Sequence, residues 1–259
     1  MEALYNFSEH QMLAFFFTMV RMSSFIVAWP VFGVTNVPSH VKILLALTIS
    51  FIIFPTLNTS AVQADMSAGY LIVLSIKESF VGLAIGYLAR LFLFTFSMAG
   101  QIMSISMGLS GVQLFNPAMG EQSTAIDQTL VMLAGLFFLA INGHHLFLTG
   151  IVKSFDLVPL SMNLVHTGVF GHAGEMLQTI MVIGLKLSAP VMIAVLLMNL
   201  VMAIIGRAVP QINVLVTSLP VNILVGFLVF MISIPLIVTQ MEGVLDVSAE
   251  YVFKLMKAM

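Results

Sequence analysis

Apolar stretches, bounded by charges and by Pro, Gly, Asn and Ser punctuation, divide the chain into six candidate spans at about 11–34, 41–57, 70–98, 129–150, 176–206 and 212–239. A helix needs about 20 apolar residues to cross the hydrocarbon core. By that measure the second stretch is short and the third, fifth and sixth are long, so the pattern predicts tilt, bends or burial against protein rather than equal bilayer-spanning rods. Pro30 and Gly33 mark the end of the first span and Pro55 the end of the second, while Pro190, Pro220 and Pro235 fall inside the fifth and sixth. Each proline removes a backbone donor and crowds the preceding turn. Carbonyls freed within lipid need partners from neighbouring protein or water. The expected fold is all-α: membrane-associated helical hairpins built from about six long apolar helices, several kinked and packed largely in protein.

Residues from about 240 to 259 read as a short amphipathic helix. Leu245, Val252 and Met256 repeat at helical spacing, with Glu242, Asp246 and Glu250 early and Lys254 and Lys257 late, an order suited to the helix dipole. It reads either as a solvated cap on the last helix or as a docking helix for a partner. The chain is otherwise expected to form a single domain, 1–259, because no repeated period or low-complexity tract divides it.

Composition strengthens the membrane reading. Of 259 residues 60% are hydrophobic and only 8% charged, against about 25% charged in a soluble domain, and the mean hydropathy is +1.11. A formal net charge of -2 provides no basic field for nucleic acid. The absence of cysteine rules out disulfides and thiolate sites. Glu2 and Glu9 stand where a cleavable signal would carry Lys or Arg, so the first span is expected to remain in the mature chain. The few Lys and Arg beside the spans are too evenly divided to set an orientation.

The sharpest anomaly lies in the third span, where Lys77, Glu78 and Arg90 interrupt an apolar run. Insertion of Lys or Arg at a helix centre costs about 2.5–3.5 kcal/mol, so this helix should face protein or water. Glu78, Gly82, Gly86 and Arg90 are each four residues apart, a ridge of small residues flanked by ions that allows close approach of another backbone. Successive four-residue steps drift round the helix and leave Glu78 and Arg90 about 120° apart, so each needs a partner elsewhere. Either Glu78 titrates in a proton or ion relay, or the ridge holds a fixed interhelical ion pair.

The stretch from Gly100 to Gln128 differs in kind, with Gly100, Gly108, Gly111 and Gly120, the pair Asn116 and Pro117, and small hydroxyls. Such density lets a helix break and its backbone approach a ligand, a pore or another chain. One reading is an exposed loop. Against it, Met103, Met107, Leu109, Val112, Leu114, Phe115 and Met119 are apolar groups that a free loop would have to bury. A re-entrant element or a pore constriction that expels water would bury them.

No enzyme reading finds residues to carry it: HExxH, GxSxG, GxGxxG and P-loop patterns are absent from the sequence. His144 and His145 are adjacent and diverge by about 100° on a helix, so they do not form an i,i+4 metal pair. No cofactor or metal is expected.

Three places carry a family resemblance. Arg21, Phe25, Pro30 and Gly33, followed by Val37, Pro38 and Lys42, resemble the N-terminal pattern of the FliR/SpaR/YscT family of type III export-gate proteins. The run KESFVGLAIGYLARLFLFTFSMAGQI resembles its glycine ridge, and Arg207, Pro210, Gln211, Ile212, Asn213 and Val214 are similar to its RxxPQxNV motif. The length, the NPAMGEQST segment and the short tail suit the flagellar branch. The resemblance implies a subunit of a protein-conducting channel in the bacterial inner membrane at the flagellar basal body. It implies P-type and Q-type partners (FliP and FliQ), an FlhB-type switch protein, an FlhA-type export protein and exported flagellar proteins as cargo. It also implies a plug between Ser106 and Gln122, to which Met107, Gly108, Leu109, Gly111, Val112, Phe115, Pro117 and Met119 would belong. Arg21, Lys77, Glu78, Gly82, Gly86, Arg90, Arg207, Pro210, Gln211 and Asn213 would serve subunit packing. The competing readings are a secondary transporter acting alone through Glu78, and a purely structural nucleus for assembly.

Overall fold

The structure, a computed structural model, describes residues 8–30, 37–57, 67–109, 124–161, 168–211 and 213–258. Among them are α1 (Glu9–Ala28), α2 (Ser39–Ile53) with a 3-10 turn at Phe54–Thr56, α3 (Ala68–Met107), α4 (Ala125–Ala140), α5 (Gly143–Leu157), α6 (Gly168–Ala208) and α7 (Val214–Ala258). No strand occurs among the described residues. Five of the helices are long and apolar enough to cross a membrane, and α4 with α5 would make a sixth if counted as one bent span. The all-α membrane fold expected from the apolar pattern is therefore present.

Several boundaries differ from the sequence pattern. The stretch 129–150 expected as one span is two helices inclined at 69°. The break falls at Asn142, whose left-handed backbone (φ 57°) is tolerated by Asn. Pro190 lies inside α6, and Pro220 and Pro235 inside α7, as the span pattern places them. The amphipathic tail is helical and continuous with α7, because no proline separates it from the apolar run before it and Gly243 alone does not break a helix. The first eight residues of the glycine-rich stretch are still α3, which ends at Met107.

The chain divides into two compact units, to both of which α3, α6 and α7 contribute. The first comprises Met1–Leu91, Asn142–Met176 and Asp246–Met259. Its core is built around Phe17, Phe25, Trp29, Leu74, Ile85 and Phe147, all sealed from solvent, with Phe25 and Trp29 stacked at 5.1 Å between ring centroids. α1 starts at Ser8, whose backbone N–H donates to Gln11 Oε1 at 3.1 Å, half of a capping box.

The second unit comprises Phe92–Ile141 and Leu177–Leu245. Phe92 packs on Phe96 and Phe138 at centroid distances of 5.3 and 5.6 Å. Asn222 of α7 donates from Nδ2 to Asn199 Oδ1 of α6 at 2.8 Å, so the hairpin of these helices is tied by an amide pair. Its outer faces are apolar: Ile204 is 70% and Ile232 78% exposed. Contiguous apolar surface on this scale has to be covered by lipid or by other protein.

Candidate functional site

Arg21 comes from the middle of α1, Glu78 from α3, and a third wall from the end of α5. Arg21 Nε donates to Glu78 Oε2 at 2.5 Å, Nη1 to Ser154 Oγ at 3.0 Å, and Nη2 to the Val158 carbonyl at 2.8 Å. The guanidinium also lies over the Phe155 ring, 4.1 Å from its centroid. Lys77 donates from Nζ to the carbonyls of Pro159 and Ser161 at 2.9 and 2.7 Å, and stands 4.0 Å from Glu78 Oε1.

The charges in this cluster do not cancel by themselves. Two cations face one carboxylate, but Arg21 also reaches the C-cap carbonyl of α5 at Val158, where the helix dipole is negative, and Lys77 the carbonyls of Pro159 and Ser161 just after it. That placement resolves the anomaly of the third span: its Lys and Glu are held inside the chain, and all three donor nitrogens of Arg21 are used. Glu78 Oε1 is buried without a hydrogen-bond partner. With Oε2 committed to Arg21 and the side chain at 0% exposure, the geometry is that of a fixed interhelical ion pair rather than a relay open to water.

The glycine ridge lies against the same α1. A Cβ at Gly82 would collide with the Arg21 carbonyl oxygen, and one at Gly86 would come within 2.6 Å of the Phe25 carbonyl oxygen and 2.7 Å of Ala28 Cβ. The close backbone approach that the small residues permit is therefore made within the chain. Arg90, at the end of the ridge, is exposed and forms no ion pair among the described residues.

A second constellation frames the glycine-rich stretch. Leu109 N–H donates to the Ser104 carbonyl and Gly108 N–H to the Ile105 carbonyl, both at 3.0 Å. Gly108 has φ 84°. Together these close α3 with a Schellman motif, which requires a left-handed residue where Gly108 stands. Met107, fully buried, fills the notch left by Gly226 of α7.

On the far side of the stretch Thr124 caps α4, its hydroxyl accepting from Asp127 N–H at 3.4 Å. Thr124 Oγ1 also pairs with Ser104 Oγ at 2.5 Å. A Cβ at Gly100 would lie 2.6 Å from Asp127 Cα, so α3 and the start of α4 are in backbone contact. The two ends of the stretch are thus pinned together. Gly111, Val112, Phe115, Pro117 and Met119, expected in the plug, lie outside the described residues, whereas Met107, Gly108 and Leu109 lie at the C-terminal end of α3.

The RxxPQxNV residues make the corner between α6 and α7. Arg207 lies in the last turn of α6, where a cation complements the dipole. Asn213 precedes α7 and accepts from Val216 N–H through Oδ1 at 3.4 Å, and Pro210 and Gln211 lie between; all four are exposed.

Sequence reasoning singled out Arg21, Lys77 and Glu78 but missed Ser154, Phe155 and Val158, which complete the cluster. It also missed the Ser104, Thr124 and Asp127 contacts, although Thr124-x-x-Asp127 before an apolar run is a readable helix-start signal. The partner of Met107 had no signal in the sequence. Among the described residues no group of His, Asp and Glu is placed to hold a metal.

The family described as "Bacterial export proteins, family 1" matches residues 12–247. The chain is 31% identical to the flagellar biosynthetic protein FliR of Bacillus subtilis (strain 168), covering 92% of each chain. It is 26% identical to that of Aquifex aeolicus (strain VF5), over 91% of each. The flagellar biosynthetic protein FliR of Escherichia coli (strain K12) is 27% identical over 86% of this chain and 85% of its own.

Proposed function

We propose that this chain, which belongs to the bacterial export proteins, family 1, the family of the flagellar biosynthetic protein FliR, works as a non-enzymatic subunit of the flagellar export gate. As a component of the flagellar export apparatus it lies in a membrane, here assigned to the bacterial inner membrane at the basal body. With P-type and Q-type subunits (FliP and FliQ) it forms a protein-conducting channel for flagellar proteins, close to the FlhB-type and FlhA-type components. The segment from Ser106 to Gln122 closes that channel at rest.

The observation that carries this reading is the match to one export family from residue 12 to residue 247, nearly the whole chain. Two features of the molecule support it. The apolar outer faces of α6 and α7 need a covering that neighbouring subunits can supply. The base formed by Ser104, Gly108 and Thr124 gives an apolar segment a fixed root from which to reach a pore. A stand-alone transporter coupled through Glu78 is the weaker reading, because that carboxylate is bound to Arg21 and sealed.

Production of the tagged chain alone and together with the P-type and Q-type subunits tests the assembly. The chain should accumulate as a discrete detergent-soluble complex only when co-produced. Equal accumulation of a folded chain in their absence, with no co-purification in their presence, would contradict the proposal.

A further inference from the structure

Between Met176 and Met241 the hairpin of α6 and α7 carries charge without counter-charge. From Met176 to Met241 the sequence contains no Asp or Glu, while Lys186 and Arg207 supply two cations. Arg207 sits at a helix C-terminus, where the dipole receives it. Lys186 has no such relief: it is the one charged residue between Glu175 and Arg207, its side chain is exposed, and it forms no ion pair among the described residues. An ammonium in so apolar a run is stable only beside an anion or in water.

Lys186 stands at the rim of a groove of about 340 Å³ within the second unit. Ile183, Leu187 and Pro190 line it from α6, and Ile237 and Gln240 from α7. Lining positions 183, 186, 187 and 190 recur at helical spacing, as do 233, 236, 237 and 240 on α7. Two such stripes side by side make a trough that fits a ridge of side chains from a third helix. Its polar lining groups are the Lys186 amine, the Ser233 hydroxyl, which donates to the Val229 carbonyl, and the Gln240 amide; the Lys186 carbonyl, four residues before Pro190, receives no N–H from it.

We infer that this groove is the docking site for an apolar helix of another export-gate subunit, one that carries a single Asp or Glu opposite the Lys186 amine. The inference rests on the proposed assembly with P-type and Q-type subunits and names one contact within it. A carboxylate on a helix is delivered to Lys186 by its own backbone. A lipid phosphate would have to leave the polar layer to reach an amine about 16 Å along the helix from Glu175, at roughly 1.5 Å per residue.

Carbodiimide coupling of the purified co-produced complex, followed by peptide mass spectrometry, reads the contact without any substitution. An isopeptide bond between Lys186 and an Asp or Glu of the P-type or Q-type subunit is expected. Lys186→Glu should lower recovery of that subunit about tenfold or more, and Lys186→Arg should preserve it. The inference is overturned if the wild-type complex forms but no Lys186 cross-link appears and Lys186→Glu assembles normally. It is equally overturned if Lys186→Met releases bound phospholipid and leaves subunit recovery unchanged. Failure of the wild-type chain to co-purify with either subunit would instead contradict the proposed function itself, and this contact with it.

Discussion

Arg21 of α1 and Glu78 of α3 meet at 2.5 Å with both side chains at 0% exposure, and the remaining donor nitrogens of Arg21 are taken by Ser154 and Val158. With both side chains sealed from solvent, a member left alone is a buried charge without its counter-charge. Breaking a buried pair from one side costs about 3–5 kcal/mol, whereas replacing both members by apolar groups is often close to neutral. Arg21→Gln and Glu78→Gln should each lower the thermal unfolding midpoint of the detergent-solubilised complex, and Arg21→Met combined with Glu78→Leu should recover most of the loss. A double variant as unstable as the worse single one would show that the pair is more than a fixed tie between the helices.

The ridge glycines differ in what surrounds them. Gly82→Ala and Gly86→Ala drive a methyl group into the backbone of α1 and should cost about 1–3 kcal/mol through overpacking. Gly135 in α4 has nothing within 4 Å of a built Cβ, so Gly135→Ala should be neutral or stabilising by up to about 1 kcal/mol from helix propensity. Unfolding curves of the three variants give the comparison; equal destabilisation by all three would contradict the close packing of α1 on α3.

The root of the glycine-rich stretch has its own test. Gly100→Ala pushes against Asp127 Cα, and Thr124→Val removes both the α4 cap and the partner of Ser104. Loss of a cap costs about 0.5–2 kcal/mol, too little to unfold the chain but enough to loosen the base. Both variants should raise ion leakage through the assembled complex, measured as proton flux into vesicles. Leakage unchanged in both would mean that the base does not govern closure.

What the sequence conveyed depended on the range of each interaction. Apolar run length and charge placement are local, and they gave the helices, the membrane setting and the special character of Lys77, Glu78, Gly82 and Gly86. Pro30 and Pro55 follow helix ends and Pro190, Pro220 and Pro235 lie inside theirs, as expected; packing on neighbouring helices can maintain a helix across a missing donor. The partners of the buried ions were out of reach: Ser154 and Val158 lie far from Arg21 in sequence, and an apolar pattern does not say which helix end a cation will cap. The break at Asn142 had a local signal, since Asn followed by Gly marks a turn, but the apolar length of 129–150 outweighed it.

The most direct test of the gate is electrical. The complex of this chain with its P-type and Q-type subunits, reconstituted in a planar bilayer, should be closed when wild type. It should conduct when residues 110–115 are deleted, because that deletion shortens the segment proposed to close the channel while sparing Gly108 and its Schellman turn. Conductance that stays at the wild-type level in an intact complex carrying the deletion would contradict the account.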